Sequence, residues 1–319
     1  MSTSQKLWLV GSGPMAQAYA SVLQAQSVDF QVIGRGVTSA SIFQQVTGVP
    51  VVCGGLEAAL SKLPPPKLAI VAVGVEQLAS VAMSLIRAGC KRLLLEKPGA
   101  LYLAELEDLY SLAHTCSSEV WVAYNRRFYA SVQLLRNLVS SDGGVLSALF
   151  EFTEWSHKIR PLHKAAGVKE RWLLSNSSHV LDLTFSLIGF PADHQWHAWQ
   201  VGTLDWHPAA SRFTGAGLTE LGVPFSYHAD WDAPGRWGIE ILTQKSRYLL
   251  RPMESLQVVH TGSVDSHFLP LNDELDRQFK PGLYLQCQHF LNNLPSQLCS
   301  LSDQIKAFRI YSRIGGYTL

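Results

Sequence analysis

The run Leu7-Trp8-Leu9-Val10 leads directly into Gly11-Ser12-Gly13-Pro14-Met15-Ala16, and a helical apolar repeat continues through Tyr19, Val22 and Leu23. Strand, G-x-G-x-x-A turn and helix, in that order, confine a chain to very few folds. Gly11 permits the tight turn, Gly13 lets backbone approach a pyrophosphate, and Ala16 lets helix and strand pack closely. Ser12, Pro14 and Met15 complete the turn, and the first N–H groups of the helix then face the anion. By itself the glycine pattern also fits a bare turn. Its place at the head of a strand–helix alternation selects the dinucleotide-binding reading.

That alternation continues through the strand Phe30 to Ile33, the short run Val49 to Val52, a helix from Leu56, the strand Leu68 to Val73 and a helix from Gln77 to Ala88. The strand Arg92 to Glu96, a helix from Leu103 to His114 and the strand Val120 to Ala123 follow. Strands separated by helices of this length predict an α/β fold, a doubly wound parallel sheet of Rossmann type over residues 1–123. Val73 and Gly74, where the fourth strand ends, join the expected cofactor-binding residues. The second strand ends in Gly34-Arg35-Gly36 with Thr38 and Ser39 beyond, and no acid stands there to hold a ribose 2′-hydroxyl. Arg35, Thr38 and Ser39 therefore predict NADP, with NAD as the alternative. The fifth strand, Leu93-Leu94-Leu95, breaks off in Glu96-Lys97-Pro98. It delivers a cation to the sheet edge where open α/β folds bind ligands.

After Ala123 the pattern changes. Candidate strands at 146–155, 195–201, 225–231, 238–243, 247–251 and 256–260 follow one another without intervening helices, which implies hairpins. Residues 124–319 are expected to form an α+β domain with an open, mainly antiparallel sheet, for substrate binding and oligomerisation. A helix from Asn176 to Ile188 is punctuated by Ser175 or Asn176 as cap, Gly189 as stop and Pro191 beyond. Ser175, His179 and Asp182 fall on one face of it. His179 reads as a general base; a half-buried structural histidine is the alternative from the residues alone.

Charge is nearly balanced, 26 Lys+Arg against 25 Asp+Glu, so no basic field holds nucleic acid or anionic lipid. Small molecules and other subunits are the expected partners. The 5 cysteines form no C-x-x-C pair, which argues against a disulfide framework and a zinc site. They read as buried thiols, and no metal is expected. No stretch reaches the roughly 20 apolar residues of a membrane span, and the N-terminal apolar run is too short for a signal peptide. The expected location is cytoplasmic.

The G-x-G-x-x-A turn, Glu96-Lys97-Pro98, Tyr124-Asn125-Arg126-Arg127-Phe128, Ser177-Ser178-His179-Val180-Leu181-Asp182 and a helix from Gly282 to Phe290 occur in that order. Together they resemble the Gfo/Idh/MocA oxidoreductases, named for glucose-fructose oxidoreductase and inositol dehydrogenase, over nearly the whole chain. The resemblance implies NAD(P)-dependent hydride transfer to or from a sugar-like alcohol or ketone, and dimerisation through the second sheet. It makes Lys97 the catalytic lysine, touching both cofactor ribose and reacting hydroxyl, with Pro98 often following a cis peptide. His179 becomes the base. Glu96 joins the cofactor set, and Tyr124, Ser175 and Asn176 join the substrate set.

One departure stands out, because the commoner pattern has an aspartate four residues before the histidine and this chain has Ser175. Without that carboxylate the histidine loses a partner favouring its charged form, so Asp182 or Asn176 is expected to substitute. The same departure keeps open a noncatalytic NADP-binding sensor or scaffold, and a redox enzyme with a nonsugar substrate is a third reading. Arg126, Arg127 and Arg171 suggest a carboxylated or nucleotide-linked sugar, since guanidinium forks suit such anions. Arg127 and Arg171 are the preferred pair; Lys164 and Lys169 read equally as a solvated loop.

Overall fold

The computed structural model describes residues 7–318. Its elements run β1 (Leu7–Val10), α1 (Pro14–Ala25), β2 (Phe30–Ile33), α2 (Val37–Thr47), β3 (Val51–Val52), α3 (Gly55–Leu60), β4 (Leu68–Val71) and α4 (Leu78–Arg87). Next come β5 (Arg92–Glu96), α5 (Leu103–Thr115), β6 (Glu119–Ala123), α6 (Ala130–Ser141), β7 (Ser147–Phe152), α7 (Ser156–Ile159) and α8 (Ser178–Ile188). The strands β8 (Pro191–Val201), β9 (Arg212–Thr219), β10 (Pro224–Asp230), β11 (Trp237–Leu242), β12 (Ser246–Leu250), β13 (Gln257–His260) and β14 (His267–Phe268) follow. The chain closes with α9 (Glu274–Gln278), α10 (Leu283–Leu291), β15 (Cys299–Ser300) and α11 (Leu301–Gly315).

Two compact units result, residues 7–125 with 278–305, and residues 126–277 with 306–318. The first carries a sheet ordered β15-β6-β5-β4-β1-β2-β3. All its pairings are parallel except that of β15. Because β1 lies between β4 and β2, the strand order reverses there and the carboxyl ends of β1 and β4 make a switch point. Leu93, Leu94 and Leu95 are fully buried, as an apolar run in a sheet covered on both faces requires.

The sequence pattern predicts a single boundary near residue 123, and residues 278–305 cluster with the first unit. The cause is packing: α10 buries Leu283, Cys287 and Phe290 and lies on α1, and β15 adds to β6 through Cys299 and Val122. Periodicity shows that a helix forms, not which sheet it covers.

The second unit holds a sheet ordered β14-β13-β12-β11-β7-β10-β9-β8. It is antiparallel except where β10 runs parallel to β7. Phe150, Phe152, Phe225, Tyr227, Ile239 and Ile241 point inward, and α8 packs on β7 and β11. Sequence reading missed β9 because Gly215 and Gly217 dilute its pattern. Both glycines are sterically demanded: an added Cβ would lie 2.4 Å from the Tyr227 ring at one and 2.2 Å from Trp196 at the other.

Two expectations need correction. Ser175 does not cap the helix start, because a π turn over Leu173–Ser177 precedes α8 and carries the helical path upstream. The cysteines are all free, but Cys53 is exposed and Cys116 half-buried; a short thiol on a solvated loop gains nothing from the core.

Candidate active site

Strand direction decides where the first unit can bind. Five parallel strands, β6, β5, β4, β1 and β2, end on one edge of the sheet. That edge receives Tyr124, Glu96-Lys97, Val73-Gly74, Gly11 to Ala16 and Arg35 in spatial order, so the predicted cofactor residues gather there. From β5 to β2 is three strand spacings, about 14 Å at roughly 4.8 Å each, the scale of an extended dinucleotide.

The turn itself fits a diphosphate. Gly11 adopts φ +127°, and a Cβ there would lie 2.2 Å from the Ala72 carbonyl oxygen, so only glycine serves. At Gly13 the opposite holds: a Cβ would meet nothing within 4 Å, leaving open space over the helix start. Helix α1 has no side-chain cap and no acid in its first turn, so its leading N–H groups are available to an anion. Ala16 is fully buried.

At the end of β2 the lack of an acid has a steric side. A Cβ at Gly34 would lie 2.7 Å from Val51, so no side chain can be placed there. Arg35, Thr38 and Ser39 are exposed, and α2 also starts without a side-chain cap or an acid. Ser12 donates to Ser39 at 3.0 Å, joining the two helix starts.

Lys97 sits in a tight turn, where Gly99 N–H donates to the Glu96 carbonyl at 3.0 Å and the Lys97–Pro98 peptide is cis. Side chains distant in sequence clamp this turn. The Tyr19 hydroxyl donates to Glu96 at 2.7 Å, and the Gln304 amide donates to the Pro98 carbonyl at 2.8 Å. Gln286, oriented to satisfy its neighbours, accepts from the Tyr124 and Asn125 backbone N–H groups, both at 3.1 Å. Burial raises the Glu96 carboxyl above its usual range, against the opposing pull of the Tyr19 hydrogen bond and the Lys97 charge. Burial and the neighbouring Glu96 raise the Tyr19 phenol. Glu96 stands out in the sequence but its supports do not, because Tyr19, Gln286 and Gln304 read as ordinary helix residues.

In the second unit, His179 is buried on α8 with its ring 6.2 Å from that of Trp237. Neither expected substitute for the missing aspartate is a spare acid. Asp182 accepts from Arg127 Nε at 2.8 Å and Nη2 at 2.6 Å, a buried two-point ion pair. Asn176 donates to Glu154 at 2.8 Å. Glu154, just beyond β7, is the buried acid beside this helix, and Ser177 donates to it at 2.6 Å. Burial raises its carboxyl, against the hydrogen bonds from Ser177 and Asn176 and the charge of Arg236.

The preferred arginines are therefore committed elsewhere. Arg127 is bound to Asp182, while Arg171 donates to the Thr318 carbonyl at 3.2 Å and lies 5.6 Å from the Tyr317 ring centre. Ser175 donates to the Val168 carbonyl at 3.1 Å. Arg126, the arginine passed over, packs 4.6 Å from the Trp237 ring centre, and Arg236 packs 4.9 Å from the same ring. No spacing rule points to Glu154, Arg236 or Trp237; only the register of β7 beside β11 brings them together.

Comparison with known proteins gives a consistent result. Residues 6–124 match the model of the GFO_IDH_MocA oxidoreductase family, NAD-binding Rossmann fold. No curated protein sequence matches. Among solved structures, the chain is similar to a UDP-N-acetylglucosamine 3-dehydrogenase from Acidithiobacillus ferrooxidans, at 16% identity and TM-score 0.74, over 97% of this chain and 96% of that one. A levoglucosan dehydrogenase in complex with NADH is 16% identical, with TM-score 0.77 and coverage of 98% and 96%. A putative NADPH-dependent oxidoreductase from Desulfitobacterium hafniense is 12% identical, with TM-score 0.77 and coverage of 98% and 94%.

Proposed function

Because residues 6–124 belong to the NAD-binding Rossmann fold of the Gfo/Idh/MocA oxidoreductases, we propose that this NAD-binding oxidoreductase transfers hydride to or from a sugar-like secondary alcohol or its ketone. The observation that carries the proposal is Lys97, clamped at the carboxyl end of β5 on the same sheet edge as the phosphate-binding turn. Neighbours of the same fold support the substrate class, since their names include a sugar-nucleotide dehydrogenase and a levoglucosan dehydrogenase.

When bound, the nicotinamide supplies the hydride acceptor or donor. Lys97 places a cation beside the reacting oxygen and stabilises its developing negative charge. His179 takes the hydroxyl proton in oxidation and returns it in reduction. Gly11 to Ala16 hold the diphosphate. Arg35, Thr38 and Ser39, exposed at an uncapped helix start, favour a 2′-phosphate and hence NADP. The similar structures include a putative NADPH-dependent oxidoreductase and a complex with NADH, so this preference rests on the residues. The outer face of the second sheet is proposed as a homodimer surface, and a reducing cytoplasm as the location.

Titration with NADPH and NADH, in wild type and in Lys97→Met, tests the proposal. NADPH is expected to bind more tightly, and Lys97→Met to abolish turnover while keeping NADPH affinity. Equal or tighter NADH binding would remove the NADP preference, and turnover surviving in Lys97→Met would remove the mechanism.

A further inference from the structure

Arg126 stands in the short turn Asn125–Phe128 that opens the second unit. Its guanidinium lies 5.6 Å from the Tyr129 ring centre and 4.6 Å from that of Trp237, and its Nε is buried without a hydrogen-bond partner. Arg236 adds a second guanidinium, 4.7 Å from Trp155 and 4.9 Å from Trp237. One indole thus carries two cations and packs beside His179.

Among the described residues, no acid neutralises Arg126 by contact. Glu154 spends one oxygen on Asn176 and Ser177, and its other oxygen is 3.8 Å from Arg236. Glu254 accepts from the Tyr129 phenol. Burial lowers the Arg126 pKa, with Arg236 pushing the same way and Glu154, Glu254 and Tyr129 opposing. A partly desolvated guanidinium held by ring faces, with no acid seated on its fork, suits an incoming planar or tetrahedral anion. Arg127, one residue on, shows the contrast, since its fork is already filled by Asp182.

We infer that Arg126, with Arg236 beside it on Trp237, is a specificity-determining residue that binds an anionic group, carboxylate or phosphate, on the substrate. This rests on the oxidoreductase reading for the identity of the ligand as substrate, and it narrows that substrate to an anionic sugar.

Calorimetric titration of the full chain with NADPH present tests it, using D-glucose, D-glucuronate and D-glucose 6-phosphate as probes. At least one charged probe is expected to bind about tenfold or more tightly than glucose, and which of the two does so identifies carboxylate or phosphate. Arg126→Gln should erase the preference. Arg126→Lys, which keeps the charge and loses the fork, should retain only part of it. Arg277→Gln, an exposed arginine paired with Asp273, should leave it unchanged. Overturning results are no preference for either charged probe, a preference surviving in Arg126→Gln, or, should that variant not fold, a full preference in Arg126→Lys. Charge-selective binding without any cofactor turnover would sink the oxidoreductase reading and leave the anion site. Turnover of neutral sugar that Arg126→Gln does not alter would do the reverse.

Discussion

At the scale of single residues, burial decides which titratable groups can take part in chemistry. His207 is fully buried, with one ring nitrogen 2.6 Å from the Ala210 carbonyl and the other 2.6 Å from the Tyr317 hydroxyl. Burial lowers its pKa from 6.5 to about 4. The neutral ring is therefore favoured in the fold, and its stability contribution, complete above pH 6.5, falls away as pH drops toward 4. Over that window the loss is about 3 kcal/mol. Glu96 and Glu154, with raised pKa values, act in the opposite direction, so a difference measurement is needed. Thermal melts at pH 7.5 and 5 should show a smaller acid-induced drop for His207→Asn than for wild type, from a lower starting Tm. A parallel drop would show that this ring does not titrate as described. Nothing in the sequence pattern marks His207, whereas His179 is visible through helix spacing and family order. Arg126 and Arg127 look alike in the sequence until a partner 55 positions from Arg127, Asp182, pairs with it.

Elements carry most of what the sequence revealed. Five of the six strands that precede residue 124, and the helices α1, α3, α4 and α5, follow from apolar runs and turn residues near the positions expected, whereas α2 (Val37–Thr47) is not among the expected elements. β3 shrinks to Val51–Val52 because Pro50 has no N–H to give a ladder. Tertiary register was invisible, as the missed β9 and the two returning side chains Gln286 and Gln304 show. Two glycines of one turn make a sharp element-scale prediction. Gly11→Ala places a Cβ against the Ala72 carbonyl at a φ of +127°, so it should lower Tm and abolish nucleotide binding together. Gly13→Ala meets no protein atom within 4 Å and has an ordinary φ of −85°. It should keep Tm within a degree or two and still weaken NADPH binding about tenfold or more by blocking phosphate approach. Differential scanning fluorimetry with and without NADPH separates the two outcomes; equal melting losses would refute the assigned roles.

For the molecule as a whole, the open face of the second sheet is the main unspent surface. Trp199 is 55% exposed, and Leu218 and Leu149 are 38% and 37% exposed on β9 and β7. Apolar residues spread across neighbouring strands favour a self-complementary partner. Light scattering coupled to size exclusion should report a dimer that Trp199→Glu shifts toward monomer without changing NADPH affinity; a monomeric wild type would end this reading. β15 and α10 return to the first unit late in synthesis. The ribosome delivers residues 126–277 of the second unit before it delivers the strand that covers β6 and the amide that binds Tyr124 and Asn125. Until then a nascent nucleotide-binding half carries a bare sheet edge, the kind of surface chaperones shield. A gene truncated near residue 125 would leave that edge exposed permanently.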